Sequence, residues 1–126
     1  EVEEKLIARI DKEEDFEIAM KFVLSDKNID ALLCLEESSA IRSLVLLKQM
    51  SYKIPEEMSI ICFTNGELPK YVSPSITTIS QHGKSIGEIS ARLLIDRIEG
   101  DKEEARHETK TIKTSLIERE STRPLS

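Results

Sequence analysis

Apolar positions along this chain fall into two alternating periods. Leu6-Ile7-Ala8-Arg9-Ile10 is a short, mostly apolar run that predicts a strand. Asp11, with Glu14 three residues on, has the form of a capping box, and Phe16, Ala19, Met20 and Val23 then recur at helical spacing. A helix over about residues 12–25 follows, broken by Asp26-Lys27-Asn28. Residues 29–35 are apolar apart from Asp30, the pattern of a strand buried on both faces. Helical spacing resumes over 38–50. It ends in Ser51–Pro55, because a residue that precedes proline is pushed away from helix. Residues 58–63 predict the next buried strand.

The second half is read the same way. Residues 64–75 turn polar and carry Gly66, Pro69 and Pro74, so they predict a long loop with one helical turn near Leu68–Tyr71. A strand follows over 76–80. Residues 83–99 predict a long helix whose apolar stripe is Ile86, Ile89, Leu93, Leu94 and Ile98, stopped by Gly100-Asp101. The charged stretch 102–106 reads as a loop, and 109–119 alternates enough for one long or two short strands. Strands and helices in this alternation predict an α/β fold: a doubly wound, mostly parallel sheet with flanking crossover helices.

Composition narrows the function classes. The chain has 126 residues, enough for one core, with 39% hydrophobic and 33% charged residues. No apolar run reaches the roughly 18 residues of a membrane span, so no membrane partner is expected. Glu1-Val2-Glu3-Glu4 is acidic where a signal peptide has its basic region, and the absence of an initiator Met leaves room for sequence upstream. The net charge of −6, with Lys and Arg scattered among acids, argues against these residues touching nucleic acid. Cys34 and Cys62 lie in apolar strand-like runs and predict free, buried thiols, with no metal-ligand spacing around either. The chain holds no Gly-x-Ser-x-Gly elbow, no phosphate-cradling glycine loop and no His-x-x-x-His pair, so it reads as a binding domain rather than an enzyme, with no catalytic residues and no cofactor.

In a doubly wound sheet, ligands bind beyond the C-terminal ends of the strands. Three such ends are Leu35-Glu36-Glu37, Phe63-Thr64-Asn65-Gly66 and Ser80-Gln81-His82. If these strands are neighbours, Glu36, Thr64, Asn65 and Gln81 face one crevice suited to a small polar molecule. The competing account makes them helix-cap and turn residues, since acids favour a helix N-terminus and Asn-Gly favours turns. On helix 38–50, Ala40, Ile41, Leu44, Val45, Leu46, Leu47 and Met50 cover more than half the circumference. Either the helix is sunk in the core, or Leu46, Leu47 and Met50 meet the sheet while Ile41, Leu44 and Val45 meet a second subunit. His82 reads as a structurally bonded or solvated histidine, and His107 lies in the charged loop.

Three stretches taken together carry a resemblance. The strand ending Ile60-Ile61-Cys62-Phe63, then Ser73-Pro74-Ser75-Ile76-Thr77-Thr78-Ile79-Ser80-Gln81, then Leu116-Ile117-Glu118-Arg119-Glu120-Ser121-Thr122 resemble, in order, the C-terminal half of the ligand-sensing domain of LacI/GalR-type transcription regulators. The resemblance runs from about residue 18 to the end. It implies the C-terminal lobe of a two-lobed, periplasmic-binding-protein type I-like sensor in a cytoplasmic protein. Residues 1–80 and 108–120 would form that lobe, and 82–100 a crossover helix that packs on an N-terminal lobe absent from this chain. DNA would be bound only through a further upstream domain.

The resemblance also implies roles for residues. Glu36, Thr64, Asn65 and Gln81 would bind a small-molecule effector, sugar-like or another metabolite. Thr78, Ser80, Gln81 and His82 would form the hinge, and Ile41, Leu44, Val45, Leu68 and Tyr71 a homodimer interface. A solute-binding protein of a transport system shares the fold and is the alternative. The chain departs from the family where Glu36-Glu37 stands for the usual Asn-Asp, Thr64 for an effector-gripping acid, Cys62 for Gly and Arg42 for Gly. A carboxylate is thus lost at one position and gained at another, which implies a different donor pattern in the ligand.

Overall fold

The computed structural model describes residues 3–100 and 108–124. Its centre is a four-stranded sheet of β1 (Ala31–Cys34), β2 (Ser59–Cys62), β3 (Thr77–Ser80) and β4 (Ser115–Ile117), in that order. β1, β2 and β3 are parallel, with Leu32 opposite Ile60 and Cys62 opposite Thr78, while β4 returns antiparallel to β3 with Ser115 opposite Ser80. Parallel neighbours need crossovers. Helix α2 (Glu37–Gln49) supplies the one between β1 and β2, and α1 (Phe16–Val23) precedes β1.

The core lies on one face of the sheet. Leu32, Ile60 and Cys62 share that face by register, and Phe16, Met20 and Leu24 from α1 and Leu44 and Leu47 from α2 pack into the same cluster. Arg42 bridges the two helices. Its Nη2 donates to the Glu13 carbonyl at 2.7 Å, and its guanidinium lies 4.1 Å from the centre of the Phe16 ring. Arg42 thus clamps α2 to the start of α1.

The N-terminal region departs from expectation. Residues 4–6 make a short 3-10 turn, and 7–10 run on without pairing to the sheet, so the strand predicted over Leu6–Ile10 does not form. A strand needs a partner for its backbone groups. Here a cleft of about 590 Å³ separates Leu6, Ile7, Ala8 and Ile10 from β1. For the same reason β1 is not buried on both faces: Ala31 and Leu33 are exposed, and only Cys34 is fully buried. The predicted capping box is also absent. A 3-10 turn at Glu13–Asp15 comes first, and the helix starts at Phe16 with no side-chain cap from Asp15.

The C-terminal segment closes the sheet from beneath. Ser121 O accepts from Ile60 N at 2.9 Å and Ser121 N donates to Ser75 O at 2.9 Å. Its hydroxyl accepts from Thr77 N at 2.8 Å and donates to Ile60 O at 2.6 Å. Of the predicted 109–119 strand only Ser115–Ile117 pairs. Helix α3 (Gly83–Glu99) spans 17 residues, and none of them is buried.

Candidate functional site

Because β1, β2 and β3 run parallel, their C-terminal ends open on the same side, and a cleft of about 550 Å³ lies there. Its polar wall is Glu36, Glu37, Ser38, Thr64 and Gln81; its apolar wall is Leu35, Phe63 and Leu68. Three residues that the sequence places apart, Glu36, Thr64 and Gln81, therefore meet at one site. Among the described residues, two carboxylates and no cationic side chain line it.

Each side chain is held by a local cause. Glu36 is extended (φ −135°, ψ 160°) at the start of α2, and its Oε1 accepts from Ser38 Oγ at 2.7 Å and Ser39 Oγ at 2.8 Å. Those two hydroxyls, with a smaller contribution from the Arg42 charge, hold its carboxyl below the ordinary glutamate value. Glu36 thus faces solvent as a fixed anion. Gln81 donates from Nε2 to Phe63 O at 2.9 Å, which ties the end of β3 to the end of β2. Its remaining amide oxygen is an acceptor.

Asn65 has a different place from the other three. It does not line the cleft. Its Oδ1 accepts from Thr78 Oγ1 at 2.9 Å and from Arg119 Nη2 at 3.1 Å. Arg119 in turn donates from Nη1 to Ile76 O at 2.6 Å and Thr78 Oγ1 at 2.8 Å. Asn65 is a bracket that pins the loop after β2 to the returning C-terminal segment.

Sequence reasoning left out one residue that lines the cleft, Glu37, and one that holds Asn65 outside it, Arg119. Glu37 lines the cleft, and its Oε1 accepts from Leu68 N at 2.7 Å. That contact spans 31 positions, so no local pattern signals it. Arg119 had a signal, since it sits in the closing stretch that carries the resemblance, but its partners come from two distant segments.

Of the residues expected to form a hinge, Thr78 and Ser80 lie within β3, and Gln81 and His82 link it to α3. Thr78 is buried, and His82 takes a left-handed conformation (φ 54°) just before α3. For a residue other than glycine that geometry is uncommon. His82 Nε2 lies 3.0 Å from Ser115 Oγ, so the outgoing and returning strands touch at this point.

Of the surface assigned to a second subunit, Val45, Leu68 and Tyr71 are exposed, Tyr71 by 78%, and Ile41 is half-buried. Leu44 is instead a core residue at 3% exposure, because α2 turns Leu44 and Leu47 together toward the sheet. Cys34 and Cys62 sit side by side on β1 and β2 as free, buried thiols. Burial, and for Cys62 the neighbouring Cys34, pushes the Cys62 thiol up to about 11; burial raises Cys34 as well. Both are protonated at neutral pH and poor nucleophiles.

The family of periplasmic binding protein-like domains matches residues 3–122. The HTH-type transcriptional repressor PurR of Vibrio cholerae is 33% identical over 110 residues, which is 86% of this chain and 32% of that protein. The chain therefore spans about a third of the curated relatives it matches. A LacI family transcriptional regulator from Enterococcus faecium, solved with bound ribose, superposes with a TM-score of 0.77 at 30% identity, over 96% of this chain and 44% of that one. The corresponding regulator from Enterococcus faecalis V583, also with bound ribose, gives 0.75 at 32% identity, over 88% and 40%. On this match of fold and sequence, the chain belongs to the family of periplasmic binding protein-like domains, in the form carried by LacI-type transcription regulators.

Proposed function

We propose that this chain is the ligand-sensing and dimerising portion of a cytoplasmic LacI-type regulator. In this reading it binds a neutral, polyhydroxylated effector in the cleft at the ends of β1, β2 and β3. The observation that carries the reading is the convergence of Glu36, Glu37, Thr64 and Gln81 on one open cleft between apolar flanks. Carboxylates and an amide oxygen accept hydrogen bonds, and sugar hydroxyls donate them. Phe63 and Leu68 offer surface to the carbon face of a ring. A phosphorylated or carboxylated effector would bring its charge against Glu36 and Glu37, with no cation among the described lining residues to meet it. The bound ribose of the two Enterococcus regulators supports the polyol class.

In the same reading α3 packs on a second lobe, and the segment Thr78–His82 beside Ser115 is the hinge between lobes. Ligand binding between the lobes changes their angle, and a homodimer formed around Val45, Leu68 and Tyr71 passes the change to DNA-binding heads upstream. The residue matches to regulators weigh against a transport binding protein.

The experiment is a thermal-stability screen of the two-lobed protein against neutral pentoses and hexoses, nucleobases and sugar phosphates. The account expects the largest stabilisation from a neutral sugar. Stabilisation confined to sugar phosphates would reject it.

A further inference from the structure

We propose that Glu37 is a positioning residue through which the ligand cleft and the exposed surface around Leu68 and Tyr71 hold one shared conformation. The inference rests on the reading above that this surface meets a second copy of the chain. Glu37 begins α2, and its carboxylate lines the cleft. The same group reaches across to the 3-10 turn Leu68–Lys70, where Oε1 accepts the Leu68 amide at 2.7 Å. Leu68 is itself both a cleft residue and 58% exposed, so one backbone bond fixes the cleft wall and the outer surface together. From Leu68 the turn runs on through the Tyr71 N to Leu68 O bond at 3.0 Å, which places the exposed Tyr71 ring relative to the same anchor.

Gly66 shows how closely this contact is built. A Cβ at that position would lie 2.6 Å from the Glu37 Cδ and 2.7 Å from its Oε1, well inside van der Waals contact. The carboxylate that would have to move is the one that accepts the Leu68 amide. A side chain at 66 would therefore displace the Glu37 carboxylate, the far end of a flexible side chain, and disturb its bond to Leu68. Substitution at 66 and removal of the carboxylate at 37 should act on the same bond.

The test is sedimentation equilibrium of the two-lobed protein carrying Glu37→Ala, Gly66→Ala, both changes, or Glu37→Gln. Far-UV circular dichroism and amide exchange at Leu68 are followed alongside. Glu37→Ala and Gly66→Ala should each weaken self-association by about five- to tenfold and speed Leu68 exchange, and the double variant should go no further than either. Glu37→Gln keeps an acceptor oxygen and should restore the wild-type constant. A dimer whose constant ignores Glu37→Ala, or single effects that multiply in the double variant, would overturn the coupling alone. A wild-type protein that stays monomeric would reject the dimer reading and the coupling with it.

Discussion

The returning C-terminal segment and helix α3 are neighbours in sequence and opposites in structure. Residues 119–122 are stitched to β2 and β3 by backbone bonds at Ser121, by the Thr77–Thr122 hydroxyl pair and by the Arg119 fork. Ser121, Thr77 and Thr78 are all buried, and no buried side-chain polar atom among the described residues lacks a partner. Helix α3, with 17 residues and an apolar stripe, buries none of them; Ile98 is 70% exposed. A helix usually owes its stability to the face it buries. The clasp is thus held by partners within the described residues, while the apolar stripe of α3 stays uncovered among them.

Substitutions on either side should keep that contrast, beginning with the core that the clasp borders. Leu47→Ala removes a side chain with no exposure and should cost about 2–5 kcal/mol in urea unfolding. Ser121→Ala leaves Thr77 N and Ile60 O each without its side-chain partner, and should cost about 1–3 kcal/mol in the same assay. A cost near zero would mean the clasp is decoration.

Glu120 gives a smaller, pH-dependent effect. The Ser75 amide and hydroxyl hold its carboxyl below the ordinary value. A lowered folded value means its stabilisation is present above the unfolded value and lost as pH falls through the folded one. Glu120→Gln should therefore reduce stability slightly at pH 7, and the gap from wild type should close on acid titration. Because the group is fully exposed, a gap that widens in acid would contradict the assignment.

Smallest of all, Leu94→Ala and Ile98→Ala on α3 should shift the stability of this 126-residue chain by no more than about 0.5 kcal/mol. In the two-lobed protein the same changes should cost several times more. Equal small effects in both would mean α3 has no partner lobe.

The parts legible in sequence are those fixed by local period. The segments over β1, α2, β2, β3 and α3 all carry runs or spacings that one window can read, and the elements formed close to the expected bounds. The convergence of Glu36, Thr64 and Gln81 followed from a topological rule, since parallel strands present their ends together. What stayed hidden depends on distant partners. Leu6–Ile10 has a strand's composition but no edge within reach. Asn65 faces inward because Arg119, 54 positions later, takes its oxygen. Leu44 and Val45 are adjacent in one apolar run, yet α2 buries the first and exposes the second. Periodicity reveals that a helix is apolar on two sides without saying which side meets the sheet.

The strand-end cleft is the proposed sensing site. Calorimetric titration of the two-lobed protein with the neutral sugar that stabilises it best tests this directly, comparing wild type with Glu36→Ala and Thr64→Ala. Each side chain lines the cleft at a strand end, so each change should weaken binding by about tenfold or more, while leaving the melting temperature of the unliganded protein nearly unchanged. Wild-type affinity in both variants would place the ligand elsewhere and contradict the account.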